Sequence, residues 1–272
     1  LAVADIDLGL VLRVLEPIWN TKNETASRVR GRIESILDWA TVRGYRQGDN
    51  PARWKGHLDV ILPAPAKVQK TEHHAALPYV DMSAFMTDLR QRKGIAARAL
   101  EFTILTATRS GESRGAEWSE IDLASKIWTI PAERMKAGKE HRIPLSESVC
   151  KLLESTLRVS GTGSRYVFPS LKGSTLSDMT LTAVLRRMER NDITVHGFRS
   201  SFRDWAAETT AFPREVIEHA MSHQLKDKAE AAYQRGDLLI KRAKLMEAWA
   251  AYCEHSSGMA EVTPINVKNA QV

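Results

Sequence analysis

Residues 126–146, KIWTIPAERMKAGKEHRIPLS, contain two apolar, β-rich arms on either side of an Ala-Gly-Lys turn. Arms of this kind around a glycine-containing turn predict a β-hairpin, with Lys136 close to its tip. The chain on both sides of this stretch has helical periodicity instead. The sequence therefore predicts a mainly α fold that contains one small antiparallel β-sheet.

Four helices are predicted around the hairpin, because apolar residues recur there every three or four positions. They cover residues 83–92, 96–107, 181–190 and 213–222. The last of them begins at a proline, which is favoured in the first turn of a helix.

Residues 24–40 also have the periodicity of a helix with one apolar face. That face is formed by Ala26, Val29, Ile33, Ile36, Leu37 and Ala40. The other faces and the flanking residues are strongly basic, and we expect them to be exposed. The basic residues are Lys22, Arg28, Arg30, Arg32, Arg43 and Arg46. Such a face is either an ordinary solvated surface or a DNA-binding surface.

Between residues 62 and 78 the sequence is rich in proline and charge and has little periodicity, as is typical of a connection between domains. We therefore predict a helical domain at 1–62, a linker at 63–77, a second domain at 78–255 and a flexible tail at 256–272. The chain begins at Leu1 instead of Met, within a segment that has the pattern of ordered structure. This suggests that the first domain is truncated at its N-terminus.

The composition excludes several classes of protein. A net charge of +6 and a pI near 9.3 favour binding to a polyanion, although many proteins without a nucleic-acid partner have a similar excess. Cys150 and Cys253 are the two cysteines, and they do not support a disulfide framework or a cysteine zinc site.

The sequence has neither an apolar run of roughly 20 residues, as a membrane span would need, nor a signal-peptide pattern. A cytoplasmic protein is expected.

Six residues that could take part in catalysis follow one another along the chain. They are Arg109 in LTATRSGE, Lys136 on the hairpin, His196 and Arg199 in HGFR, His223 in MSH and Tyr233 in AAYQR. Each of them singly has an ordinary structural interpretation. Tyr233 could be a half-buried aromatic, His196 a core histidine, and Arg109 the partner of Glu112 in a helix-capping ion pair.

Taken together, the series resembles the signature of the tyrosine recombinases. The stretches at 109–123, 128–146, 194–206 and 233–252 resemble the bacterial prophage integrases of that family. ILDWATVRGYRQGDNPARWKGHL, at 36–58, resembles their DNA-core-binding domain. The residue before His223 is Ser222, where the family commonly has glycine. The resemblance covers nearly the whole chain and implies a two-domain clamp around duplex DNA.

The resemblance implies a role for each residue. Arg109 and Arg199 would hold the phosphate, because a guanidinium is planar, permanently charged and able to donate two parallel hydrogen bonds. Tyr233 would be the nucleophile and His196 its helper, while Lys136 would protonate the 5′ oxygen that departs. His223 would hydrogen-bond the phosphate, and Glu112 would orient Arg109.

No cofactor is expected, because arginine and lysine would supply the positive charge that magnesium provides in nucleases. Glu215, His219 and His223 recur every four residues and would share one helical face, as metal ligands often do. The stretch HAMSH nevertheless lacks the glutamate that follows the first histidine of the metalloprotease motif. We expect no metal site there.

The expected partners are double-stranded DNA at attachment sites, three further copies of the chain in a tetramer on synapsed DNA, and accessory DNA-bending proteins. The helix after Tyr233 would either dock onto a neighbouring copy or pack on its own domain; its apolar residues are Leu238, Leu239, Leu245, Met246 and Trp249. Two other functions share these features. One is a topoisomerase that uses the same tyrosine chemistry, and the other is a DNA-binding module without catalysis.

Overall fold

The computed structural model describes residues 1–68, 75–160, 163–223 and 236–254. The chain divides into two compact units, Leu1–His73 and His74–Val272. This division falls within the stretch 63–77 that we predict to be a linker.

The N-terminal unit is helical. Its two long helices are α1, Leu8–Trp19, and α2, Asn23–Val42. Helix α1 begins after Asp7, whose side chain caps it by accepting a hydrogen bond from the backbone N–H of Leu10. The shorter elements are a 3₁₀ turn at Val3–Asp5, a π-helical turn at Trp54–Leu58, and helical turns at Asp59–Ile61 and Pro65–Val68. The small core lies between the two long helices, where Leu15 and Trp19 are buried with Ala26 and Leu37.

Helix α2 confirms the predicted helix at 24–40, but its buried face is narrower than predicted. Ala26, Leu37 and Ala40 are buried, whereas Ile36 is 59% exposed. Because successive residues are about 100° apart on a helix, Ile36 shares the solvent side with Trp39, three positions on.

The C-terminal unit is mainly helical and contains one three-stranded sheet, so the predicted fold class is confirmed. Its helices are α3 (Met82–Gln91), α4 (Ile95–Thr106), α5 (Ser110–Arg114), α6 (Glu147–Ser160), α7 (Thr180–Arg187), α8 (Gly197–Thr209), α9 (Arg214–Ala220) and α10 (Leu239–Glu254). Short 3₁₀ turns lie at Tyr79–Asp81, Trp118–Glu120 and Ala132–Arg134. The strands are β1 (Ile121–Asp122), β2 (Ile127–Ile130) and β3 (His141–Pro144).

The predicted hairpin is formed by β2 and β3, which pair antiparallel with Trp128 opposite Ile143. Trp128, Ile130 and Ile143 are buried, because alternate residues of a strand face the same side. The connection between the strands covers residues 131–140 and includes a 3₁₀ turn, so it is longer than the predicted Ala-Gly-Lys turn. Strand β1 was not predicted, because two residues are too few to give a pattern.

Helix α4 crosses the core of the C-terminal unit and is buried almost throughout its length. Helix α10 packs on this same core, where Leu245, Met246 and Trp249 are buried. The indole N–H of Trp249 donates to the carbonyl of Ile104 in α4, at 2.9 Å. The alternative that these three side chains dock onto a neighbouring copy is therefore wrong. Leu238 is partly buried against the same core.

Candidate active site

Arg109 lies in the short loop between α4 and α5. Helix α4 ends at Thr106 and is followed by Ala107, whose φ of +51° lies in the left-handed region and turns the chain sharply. Buried hydroxyl groups hold the turn, since Thr108 Oγ1 lies 2.9 Å from Thr106 Oγ1 and 2.6 Å from Ser113 Oγ. The loop is thus fixed on both sides, and Arg109 stands at the start of α5.

Glu112 binds Arg109 at two points. Its Oε1 lies 2.8 Å from Nη1 of Arg109, and its Oε2 accepts the backbone N–H of the same residue at 2.9 Å. Glu112 is buried, whereas the arginine side chain is partly exposed. The carboxylate of Glu112 therefore both caps the start of α5 and fixes the guanidinium group of Arg109. Nη2 of Arg109 donates to the carbonyl of Ser222, which lies just after α9, at 3.2 Å.

Arg199, on α8, is only 3% exposed. Its Nη1 donates to the carbonyl of Ala107, and its Nη2 donates to that of Met221 at 2.7 Å. Burial lowers the pKa of Arg199 to about 10, and the charge of Arg109 contributes to the same shift. The residue remains a cation at neutral pH. Two neighbouring guanidinium groups thus repel each other in a partly desolvated site, and binding of an anion between them would relieve that repulsion.

His223 is held between Glu218 and Arg199. Its Nδ1 lies 2.6 Å from Oε2 of Glu218, and its Nε2 lies 3.0 Å from Nη2 of Arg199. Since the arginine can only donate, Nε2 is the acceptor and the proton is on Nδ1. Burial lowers the pKa of His223; the hydrogen bond to Glu218 opposes this shift, and the charge of Arg199 adds to it. The imidazole is therefore neutral at pH 7.

Ser222 adopts a φ of +53°, in the left-handed region. Glycine enters this region without strain, which gives a physical reason for the glycine that the recombinase pattern commonly has here. Serine keeps the same turn at some cost in strain, and its carbonyl is the one that Arg109 binds.

We predict that the imidazole of His223 titrates with a midpoint below its ordinary value of about 6.5. As the pH falls, the unfolded chain binds this proton before the folded chain does. The stability contributed by the neutral histidine is thus complete above pH 6.5 and is lost as the pH falls through the lowered pKa. NMR of the ring nitrogens would measure the midpoint.

Glu218→Gln provides the control for this titration. Removing the carboxylate takes away a contact that raises the pKa of His223, so the midpoint should fall further. A wild-type midpoint at or above 6.5 would mean that the contact with Glu218 outweighs burial, and the predicted direction of the shift would be wrong.

Two residues of this region were missed by the sequence analysis. Nη1 of Arg134 pairs with Glu120, and its Nη2 donates to the carbonyl of Glu112 at 2.6 Å, which links the hairpin connection to the residue that orients Arg109. His141 begins β3; burial lowers its pKa to about 4, and the charges of Arg242, Arg109 and Arg199 act in the same direction. Strand β3 therefore lies near the two site arginines. Neither Arg134 nor His141 lies in a sequence motif from which its place near the site could have been predicted.

The structure thus brings Arg109, Arg199 and His223 together around the turn after α9. Lys136 is exposed in the connection between β2 and β3, at a place where it is not hydrogen-bonded to any residue that the structure describes. His196 is exposed at the N-terminus of α8. Tyr233 lies outside the described residues.

Gly197, next to His196, is required by close packing. A Cβ atom at this position would lie 2.2 Å from the carbonyl oxygen of Ala75, a distance that no side chain can accept without movement of the backbone. The backbone N–H of Thr194 donates to the same carbonyl at 2.9 Å. The start of α8, and with it His196, is therefore held against the segment at residues 75–77.

The six basic residues of the N-terminal unit differ in exposure. Lys22, Arg28, Arg32 and Arg43 are exposed; Arg28 pairs with Glu24, and Arg43 stacks over Trp39. The expectation of exposure is wrong for the other two. Arg46 is 7% exposed and donates to the carbonyl of Asp49 at 3.1 Å. The side chain of Arg30 is 17% exposed; it pairs with Glu34 and donates to the carbonyl of Ala52.

Among the described residues, no group of three or more His, Cys, Asp or Glu side chains could hold a metal ion. Within the same ranges, no helix has both the length and the apolar character of a membrane span. Cys150 and Cys253 are both buried as free thiols.

Comparison with known proteins gives matches along most of the chain. Residues 79–237 match the model of the phage integrase family, and residues 1–57 match that of the phage integrase central domain. The integrase of Enterobacteria phage P4 is 28% identical over 253 residues. That match covers 86% of this chain and 56% of the P4 protein, so the chain spans little more than half the length of that relative.

Solved structures share the fold. A lambda integrase dimer bound to a COC′ core site aligns with a TM-score of 0.61 and 16% identity, over 82% of this chain and 81% of that one. A lambda integrase tetramer bound to a Holliday junction aligns with a TM-score of 0.59 and 17% identity, over 84% and 64%. At this level of identity the likeness establishes the fold alone. The family matches confirm the resemblance of the sequence motifs to this group, and the chain belongs to the phage integrase family.

Proposed function

We propose that this chain is the strand-cleaving part of a site-specific DNA recombinase, which cuts and rejoins DNA through a covalent 3′-phosphotyrosine. Its natural use would be the integration and excision of a prophage or genomic island. One observation carries the proposal: Arg109 and Arg199 converge on the carbonyls of Ser222 and Met221, beside a neutral His223.

This arrangement suits an attacked phosphodiester. Negative charge grows on the non-bridging oxygens in the transition state, and preorganised donors stabilise it without having to reorganise. The two guanidinium groups supply permanent charge. The backbone carbonyls that hold them are neutral, and among the residues that the structure describes only Arg109 of the two is paired with a carboxylate, that of Glu112. The positive charge of Arg199 is therefore not neutralised by such a pair and can stabilise the phosphate.

Tyr233 would attack the phosphorus, with His196 as its helper. A phenol has an ordinary pKa of about 10, so it needs nearby cations or a base to react at neutral pH. The repulsion between the site arginines favours an anion nearby, which supports ionisation of the phenol during attack.

The 5′ oxygen that leaves would be protonated by Lys136. We expect Lys136→Ala to slow cleavage of an ordinary phosphodiester about 10²- to 10⁴-fold, the usual contribution of general acid catalysis. The rate should recover on a 5′-bridging phosphorothiolate, because a thiolate leaves without a proton. Single-turnover cleavage of both substrates measures the effect.

Lys139→Ala is the matched control, since this lysine is exposed in the same connection. It should cleave both substrates at the wild-type rate. An equal loss on both substrates in Lys136→Ala would exclude the role of general acid.

The phosphotyrosyl bond would conserve the energy of the broken phosphodiester, so a 5′ hydroxyl of a second strand could attack it and seal the join without ATP. The proposed chemistry requires no cofactor, because the arginines and the lysine provide the charge and the proton. Duplex DNA at attachment sites would be the substrate, which places the activity in the bacterial cytoplasm, at the nucleoid.

Strand exchange between two sites would require four copies of the protein. The tetramer of the structurally similar lambda integrase on a Holliday junction supports this assembly. The exposed basic residues Lys22, Arg28, Arg32 and Arg43 are proposed to contact phosphates of the DNA. Accessory DNA-bending proteins would assist the exchange.

The test is incubation of the purified chain with a duplex that carries a nick near the candidate cleavage position, followed by a denaturing gel. A covalent protein–DNA band supports the proposal. Binding without a band would indicate a DNA-binding module. A band together with relaxation of supercoiled plasmid, but without exchange between two sites, would indicate a topoisomerase.

A further inference from the structure

Helix α10 contains a buried arginine, Arg242, whose side chain donates hydrogen bonds to two backbone carbonyls outside the helix. Arg242 is 1% exposed and lies on the helix that also buries Leu245 and Trp249. Its Nε donates to the carbonyl of Asp237 at 2.6 Å, and its Nη1 donates to the carbonyl of Arg142 at 2.6 Å. Its Nη2 lies 3.4 Å from Oδ2 of Asp237.

The carboxylate of Asp237 binds a second arginine. Nη1 of Arg142 lies 3.3 Å from Oδ2 of Asp237, so both arginines contact the same oxygen atom. Asp237 Oδ1 also accepts the backbone N–H of Leu239 at the start of α10, at 3.2 Å. We call the three residues Arg142, Asp237 and Arg242 the Asp237 clasp.

Burial of a guanidinium is costly unless hydrogen bonds compensate for the lost water. An apolar residue at position 242 would fill the core of α10 without that cost. The contacts of Arg242 in the clasp instead reach two segments: the chain just before α10, five residues away in sequence, and β3, 100 residues away. The clasp therefore ties those segments together.

Each of the two segments is close in sequence to a residue of the proposed reaction. Arg142 lies in β3, which follows the connection that carries Lys136. Asp237 lies four residues after Tyr233, and four residues of chain span at most about 14 Å. On the other side of Tyr233, the carbonyl of Ser222 is bound by Arg109. Ser222 and Asp237, which flank Tyr233 in sequence, are thus each bound by an arginine.

We infer that Arg242 is a positioning residue for the nucleophile: through the Asp237 clasp it fixes Asp237, four residues after Tyr233 in sequence, to strand β3, which follows the connection with Lys136. The inference rests on the proposed function. Arg242 touches neither DNA nor the reacting atoms, and it acts by limiting where the phenol can lie. Misplacement of a reacting group by about 1 Å costs roughly 100-fold in rate.

Asp237→Ala and Arg242→Met test the inference. Asp237→Ala removes the carboxylate contacts but keeps the two carbonyl hydrogen bonds of Arg242, so the fold should be retained. Both variants should slow single-turnover formation of the covalent adduct by at least about tenfold, with the Kd for duplex DNA unchanged within about twofold. The loss should persist on the 5′-bridging phosphorothiolate, because an easier leaving group does not move the nucleophile.

Lys244→Met is the matched control, since it removes an exposed charge from the same helix. It should behave as the wild type. A folded Asp237→Ala variant that cleaves at the wild-type rate would overturn the inference. Recovery on the phosphorothiolate would also overturn it, because the clasp would then act through Lys136. Failure of the wild type to form an adduct on either substrate would instead refute the proposed function.

Discussion

Tyr233→Phe should form no covalent protein–DNA adduct, although it binds the same duplex with unchanged affinity. Phenylalanine has the same ring but lacks the oxygen that attacks phosphorus, so no bond can form at this position. The change removes one hydroxyl group, and loss of covalent bond formation should be complete. A denaturing gel of the nicked duplex, with wild type and variant side by side, measures it.

Tyr166→Phe controls for the loss of a phenol elsewhere, because Tyr166 lies in the C-terminal unit beside Arg165. It should give the wild-type amount of adduct. If Tyr233→Phe still forms an adduct, peptide mapping of that adduct would identify a different nucleophile, and the assignment of Tyr233 would be abandoned.

Arg199→Lys should lower the single-turnover cleavage rate by about 10²- to 10³-fold, the effect of losing one preorganised donor at a developing charge. Lysine retains the positive charge but loses the planar fork that reaches the carbonyls of Ala107 and Met221 together. Those two acceptors are buried with it, so the free energy of unfolding should also fall, by about 1–3 kcal/mol. Rapid-quench kinetics and chemical denaturation measure the two effects.

Arg92→Lys is a suitable control for this substitution, because Arg92 forms an exposed pair with Asp88. Exposed pairs contribute little, and both the rate and the stability should be unchanged. If Arg199→Lys is destabilised but cleaves within about threefold of the wild-type rate, Arg199 is a structural residue and does not meet the phosphate.

Much of the architecture could be predicted from local pattern. The alternation in IWTI and HRIP predicted the hairpin, and the helical repeat predicted helices close to their observed bounds, such as 83–92 for Met82–Gln91. The order of the six proposed catalytic residues pointed to the family, which the matches to the family models confirm. The hairpin and the helices are determined by residues close together in sequence, and the family is recognised from the order of its motifs.

Other features depend on which segments meet in space. Arg43 and Arg46 were both expected at the surface, yet of these two only Arg46 is buried, and it donates to the carbonyl of Asp49 in the loop that follows. The apolar residues of α10 fitted either a neighbouring copy or their own domain, and the contact between Trp249 and the carbonyl of Ile104 decided between them.

The sequence by itself determined the fold class, the positions of most helices, the hairpin and the set of residues suited to phosphate chemistry. Only the tertiary structure decided that Arg109, Arg199 and His223 meet at one turn, which nitrogen of His223 carries the proton, and that Arg242 ties β3 to Asp237. The physical reason is that helical and strand periodicity are local, whereas burial and hydrogen bonding of a side chain are decided by partners distant in sequence, here 113 residues apart for Arg109 and Ser222.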